Sequence, residues 1–112
     1  MNLTEIESVR KSVGQWEWLA GTGKRKHEWP EWVWNGGQYA AVTADCFLCE
    51  YAKDKLGGCR ACPYYKKYGH CMNLKSPYRR WICVRTEEDK KKYARRIVEQ
   101  LKEILWTWTG RE

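Results

Sequence analysis

Five of the six cysteines in this chain fall within 26 residues, as Cys46-x2-Cys49, Cys59-x2-Cys62 and Cys71. A two-residue spacer lets both sulfurs of a pair reach one tetrahedral ion without strain. The pattern predicts a structural Zn2+ site. Cys46, Cys49, Cys59 and Cys62 make the simplest ligand set; Cys46, Cys49, Cys62 and Cys71 make a second, and spacing does not choose between them. His70 is a further candidate donor. Four thiolates leave no open position for water, so the site reads as scaffold and not as zinc catalysis. Zinc would add on the order of 10 kcal/mol to folding. An iron–sulfur cluster is the rival reading. Cys59-x2-Cys62-Pro63 has the Cys-Pro ending of ferredoxin-type runs but lacks their C-x2-C-x2-C core. A disulfide framework is the third reading and would require export. Cys83, between Ile82 and Val84, reads as a small buried hydrophobe.

The second group that could do chemistry is basic and aromatic. The 112 residues carry a formal charge of +7, with eight Trp and seven Tyr. Nine basic side chains and one acidic one fall in residues 53–85, so the positive field belongs to the cysteine-bearing middle. Lys66, Lys67, Lys75, Arg79 and Arg80 are interleaved with Tyr64, Tyr65, Tyr68, Tyr78 and Trp81. Cations hold phosphates and rings stack on bases, so this pattern suits nucleic acid or a nucleotide. The bland alternative is rings that fill the core and bases that face water. Trp29, Trp32 and Trp34 could line a pocket for a flat ligand or fill a core; ring exposure decides between the two. No enzyme constellation is written here. His70 and Cys71 are neighbours in sequence, where side chains diverge, and Gly21-Thr22-Gly23-Lys24 lacks the spacing of a phosphate loop.

These residues must be positioned by helices. Thr4 and Glu7 form a capping box, followed by Ile6, Val9, Val13, Trp16 and Ala20 at helical spacing, and Gly21-Thr22-Gly23 as a stop. Lys24-Arg25-Lys26-His27 is a short basic loop. Residues 24–42 read as an ordered but irregular tryptophan loop, because Pro30 and Asn35-Gly36-Gly37 punctuate it and no partner strand is evident. Thr43 or Asp45 is expected to cap a helix to about Lys55, placing Cys46 and Cys49 on one face. Pro63 suits the first turn of a short helix through Tyr68, and Ser76-Pro77 starts another to about Val84. Thr86 caps a long closing helix, residues 86–110, with the stripe Tyr93, Ile97, Leu101, Ile104, Leu105 and Trp108. The predicted fold is a mostly α, small single domain of residues 1–112. Two long terminal helices (the first within 1–23) pack around a zinc-stabilised module of short helices and loops, residues 43–85.

The order of motifs carries a resemblance. Asp45-Cys46-Phe47-Leu48-Cys49-Glu50-Tyr51, Cys59-Arg60-Ala61-Cys62-Pro63, Gly69-His70-Cys71 and Ser76-Pro77-Tyr78 follow Trp16-Glu17-Trp18-Leu19-Ala20, Trp29-Pro30-Glu31-Trp32 and Asn35-Gly36-Gly37. The chain resembles a group of small cysteine-rich proteins encoded by phages. That resemblance implies a phage accessory protein of the bacterial cytoplasm that acts by binding, including against host defence. The polar start Met1-Asn2-Leu3-Thr4-Glu5 and the lack of a membrane-length apolar run also predict the cytoplasm, where thiols stay reduced. The expected function is a non-enzymatic, zinc-stabilised module for an anionic ligand. Lys66, Lys67, Arg79 and Arg80 would bind it, with Tyr78, Trp81, Trp29, Trp32 and Trp34 in support. The alternative is a protein–protein inhibitor of a bacterial host enzyme or defence system, and a thiol or iron–sulfur redox protein is the third reading.

Overall fold

The computed structural model describes residues 3–40 and 46–109. Five helices organise it: α1 (Glu5–Thr22), α2 (Phe47–Ala52), α3 (Pro63–Tyr68), α4 (Pro77–Cys83) and α5 (Glu87–Thr109). Single 3₁₀ turns at Lys26–Glu28, Val33–Asn35 and Gly58–Ala61 connect them. Among the described residues there is no strand, only an isolated bridge between Trp32 and Tyr39.

The ends of α1 are set by its sequence. The Thr4 Oγ1 accepts from Glu7 N–H at 3.1 Å, and the Glu7 carboxylate accepts from Thr4 N–H at 2.9 Å. Gly23 closes the helix at φ 70°, a conformation that only glycine adopts without strain. A Cβ there would also lie 2.8 Å from the Glu87 carbonyl oxygen, so Gly23 is where the end of α1 meets the start of α5. At α5, Thr86 Oγ1 accepts from Asp89 N–H at 3.1 Å, the expected cap.

The predicted pairing of the long helices is observed: α1 and α5 share the most extensive interface in the fold. Val9, Trp16, Leu19 and Ala20 of α1 meet Ala94, Ile97, Val98, Leu101 and Ile104 of α5, joined by Leu48, Tyr64 and Trp81 from the three short helices. Trp16 sets its ring edge-on to Trp81 at 4.8 Å and to Tyr78 at 5.8 Å. Trp108, the last residue of the predicted stripe, is 37 % exposed, because the helix outruns the core it covers.

The tryptophan loop is ordered and irregular, as expected, and it builds a second, smaller core. Trp29, Trp32 and Phe47 are buried together, with Trp18 and Tyr39 against them. The Trp32 indole N–H donates to the Lys26 carbonyl at 2.8 Å. Asn35 Nδ2 donates to the Trp29 and His27 carbonyls at 2.8 and 2.9 Å. Gly37 lies so close to the Glu31 backbone that a Cβ would fall 2.2 Å from its carbonyl carbon.

Three expectations are corrected. The helix around the first CxxC is short, Phe47–Ala52, and Cys46 is its N-cap instead of lying on its face; Thr43 and Asp45 lie outside the described residues. Cys83 is exposed, since α4 turns Trp81 inward instead. Trp29, Trp32 and Trp81 are no more than 6 % exposed, so their flat faces are spent on packing and not presented to a ligand.

Candidate metal centre

Three of the cysteines are delivered by local devices. Cys46 caps α2, its sulfur accepting from Cys49 N–H at 3.4 Å. Cys62 caps α3, where Pro63 at the first helical position removes an N–H that would otherwise be orphaned. Cys71 follows Gly69, which ends α3 at φ 87°, and the Ser76 hydroxyl that starts α4 donates to the Cys71 carbonyl. Three stretches of chain therefore meet, each stopped by a cap.

Cys46, Cys49, Cys62 and Cys71 line one cavity of about 70 Å3 on its inner side, against Trp16, Leu48, Ile97 and Leu101. Cys49, Cys62 and Cys71 also line an outer cavity of about 230 Å3, which Cys59 and His70 join. Cys59 sits on the exposed 3₁₀ turn at the rim. His70 is exposed, and its Nδ1 accepts from Met72 N–H at 3.0 Å. Of the two ligand sets left open by spacing, the four cysteines that share a buried cavity are Cys46, Cys49, Cys62 and Cys71. Among the described residues, no three His, Cys, Asp or Glu side chains stand close enough together to hold an ion as they are placed. The sulfurs ring a space and do not yet close on a point.

The electrostatics of this cavity are unusual. Lys26 is only 8 % exposed. Its ammonium donates to the Tyr78 hydroxyl at 3.1 Å and lies 4.6 Å from the Tyr78 ring and 5.3 Å from the Trp16 ring. Burial alone would push Lys26 down, but the nearby Cys46, Tyr78 and Cys49 outweigh it and hold Lys26 above its usual range. The hydrogen bond from Cys49 and the charge of Lys26 bring Cys46 down to about 6 against the pull of burial. Cys49, as the donor to Cys46, is pushed up, and burial adds to that. Burial raises Cys62 to about 11 and also raises Cys71. A buried cation beside cysteines that line one cavity would compensate an anionic thiolate centre, since an uncompensated charge in an apolar interior is expensive. Lys26 was legible only as part of a basic loop; its partner Tyr78 lies 52 residues away.

The predicted ligand-binding cations are not brought together as one free surface. Lys66 pairs with Glu5 at 2.7 Å. Lys67 lies 5.8 Å over the Tyr68 ring, and Arg79 Nη1 donates to the Met72 carbonyl at 3.4 Å. Arg80 is exposed, while Tyr78 is half-buried under Lys26. Of the three loop tryptophans only Trp34 is exposed, at 50 %, next to Val33 at 56 %. Among the described residues, no helix is long and apolar enough to cross a membrane.

No protein-family model matches the chain, and no curated protein or solved structure matches it either.

Proposed function

We propose that the chain is a non-enzymatic binding module, of the phage accessory kind its motifs resemble, built on a metal centre held by Cys46, Cys49, Cys62 and Cys71. Zn2+ is the ion proposed. The observation that carries the reading is the shared cavity of four cysteines with the buried ammonium of Lys26 beside it. Four thiolates make a closed centre, so its role is to fix three chain segments and not to activate water. The surface held in place is strongly basic between residues 53 and 85. An anionic partner, nucleic acid or nucleotide, is the ligand proposed for it, with Lys67 and Arg80 the most available of the expected contacts.

Elemental analysis of the purified chain tests the centre. One zinc per chain and a colourless preparation are expected. Iron with acid-labile sulfide would replace zinc by an iron–sulfur cluster, and neither metal would remove the centre altogether. Titration with oligonucleotides and nucleotides at two salt concentrations tests recognition; affinity is expected to fall steeply with salt if phosphates dominate. A second reading, inhibition of a bacterial host enzyme, is favoured by Val33 and Trp34, exposed apolar side chains on a loop whose base is locked by buried Trp29 and Trp32. A stoichiometric host protein retained by the chain, and lost with Trp34→Ala, would select it.

A further inference from the structure

A second concavity shares no lining residue with the cysteine cavities. It is an open cleft of about 610 Å3, lined by Arg25, Trp81, Ile82, Cys83, Val84, Arg85 and Lys90. Its three cations come from three places: the loop after α1, the link between α4 and α5, and the start of α5. Among the described residues, no acidic side chain lines it. Glu28, the nearest acid in sequence to Arg25, turns its carboxylate onto the Arg25 backbone N–H at 2.9 Å.

The cleft is preorganised. Lys90 Nζ donates to the Trp81 carbonyl at 2.6 Å and lies 4.2 Å over the Trp81 ring. The close approach of Gly23 to Glu87 holds the Arg25 loop against the start of α5. Burial and the charge of Arg25 both push the Lys90 ammonium below its usual range. Cations converging in this way repel one another, and a bound anion relieves that repulsion. The wall between them is apolar, with Ile82 43 % exposed. The space falls within the roughly 300–1,000 Å3 typical of small-ligand pockets.

We propose that this cleft binds a phosphate-bearing ligand of mononucleotide size, with the phosphate among Arg25, Arg85 and Lys90 and the apolar part of the ligand against Ile82 and Val84. The inference rests on the reading of an anion-recognising module, but moves recognition away from Lys66, Lys67, Arg79 and Arg80. Arg is suited to the task because its planar fork meets a phosphate with two parallel hydrogen bonds.

The test uses the full chain as purified, with ATP, AMP, inorganic pyrophosphate and a single-stranded thymidine 12-mer titrated at low salt. Cys83 lines the cleft and is exposed, so its alkylation rate, read by peptide mass spectrometry, reports occupancy independently. A nucleotide is expected to slow alkylation of Cys83 and leave the rim residue Cys59 unaffected. The double variant Arg25→Gln/Arg85→Gln is expected to weaken binding by about tenfold or more. The control Arg96→Gln/Lys102→Gln, at exposed cations of α5 outside the cleft, is expected to bind like wild type. Lys66→Gln/Lys67→Gln tests the other surface, and circular dichroism of all three variants verifies that they fold. Pyrophosphate that binds and loses affinity in the Arg variant supports phosphate as the determinant. Three outcomes overturn the proposal: no nucleotide binds, only the 12-mer binds, or Cys83 alkylation stays unchanged at saturation. Loss of binding in the Lys66/Lys67 variant with none in the Arg25/Arg85 variant also overturns it, and leaves the surface reading of the module standing.

Discussion

At the scale of single residues, the decisive groups are those whose neighbours are far away in sequence. Lys26 belongs to a run of four polar residues, and nothing local distinguishes it from Lys24 or Arg25. Only the tertiary contact with Tyr78 and the cysteines buries it. If it compensates a thiolate centre, Lys26→Met is expected to lower metal affinity by roughly 10- to 100-fold, the range for losing a supporting group behind metal ligands. Competition against a chromophoric chelator measures this, and an unchanged affinity would sink the role. Trp32 and Trp34 make the complementary case. They stand two apart in one loop, yet Trp32 is fully buried and Trp34 is half exposed. Trp32→Ala is expected to remove about 3–5 kcal/mol of stability, as for other buried large-to-small changes. Trp34→Ala should remove less, about 1–2 kcal/mol, since its indole hydrogen bond to the His27 carbonyl is exposed and its half-exposed ring gives up chiefly its stacking on Trp32. Denaturant unfolding of the two variants distinguishes them; equal losses would mean that the loop packs differently.

At the scale of elements, stop and start signals were the most legible part of the chain. The capping box at Thr4 and Glu7, the glycine stop at Gly23, and the Pro63, Pro77 and Thr86 starts all lie within a few residues of the groups they satisfy. Local sequence is therefore enough to specify them. Thr4→Ala is expected to cost about 1 kcal/mol, the usual value for losing such a cap. The box also has a pH signature. Backbone and side-chain hydrogen bonds from Thr4 hold the Glu7 carboxyl below its ordinary value of 4.5. A depressed carboxyl stabilises the fold above its ordinary pKa, and that contribution is lost as pH falls through the lower folded value. The gap between wild type and Glu7→Ala should therefore be widest near neutral pH and narrow below about 4.5. A gap independent of pH in thermal unfolding would show that Glu7 takes no part. The helix at the first CxxC is shorter than a cap at Thr43 or Asp45 and an end near Lys55 predict. In the structure Cys46 starts the helix as its N-cap and contributes nothing to its face.

At the scale of the molecule, a chain of this length buries only about two-thirds of its unfolded surface and has limited apolar area to spare. The α1–α5 pair gives it one continuous core. Between α2 and α4 the chain runs through a short helix and turns, tied to the long helices by Tyr64 and Tyr68 hydrogen bonds to Gln100 and by the Lys66–Glu5 pair. With zinc worth on the order of 10 kcal/mol and a typical domain stable by only 5–15 kcal/mol, metal removal should loosen residues 46–83 first. Hydrogen exchange with and without a chelator is expected to lose protection in that stretch while α1 and α5 keep much of theirs. The same midpoint of unfolding in both conditions would rule out a structural metal. Cys62→Ser should reproduce the effect of the chelator, whereas Cys59→Ser, at the exposed rim, should leave one metal per chain. The sequence by itself determined the helical class, the pairing of long terminal helices and the caps, because hydrophobic period and capping chemistry act over three or four residues. It also grouped the five cysteines as one candidate centre, because CxxC spacing is local. Only the tertiary structure decided which cysteines line the inner cavity beside Lys26, which tryptophans are core, and that Arg25, Arg85 and Lys90 face one cleft. Each of those is a meeting of segments tens of residues apart, and burial is a property of the meeting and not of any one segment.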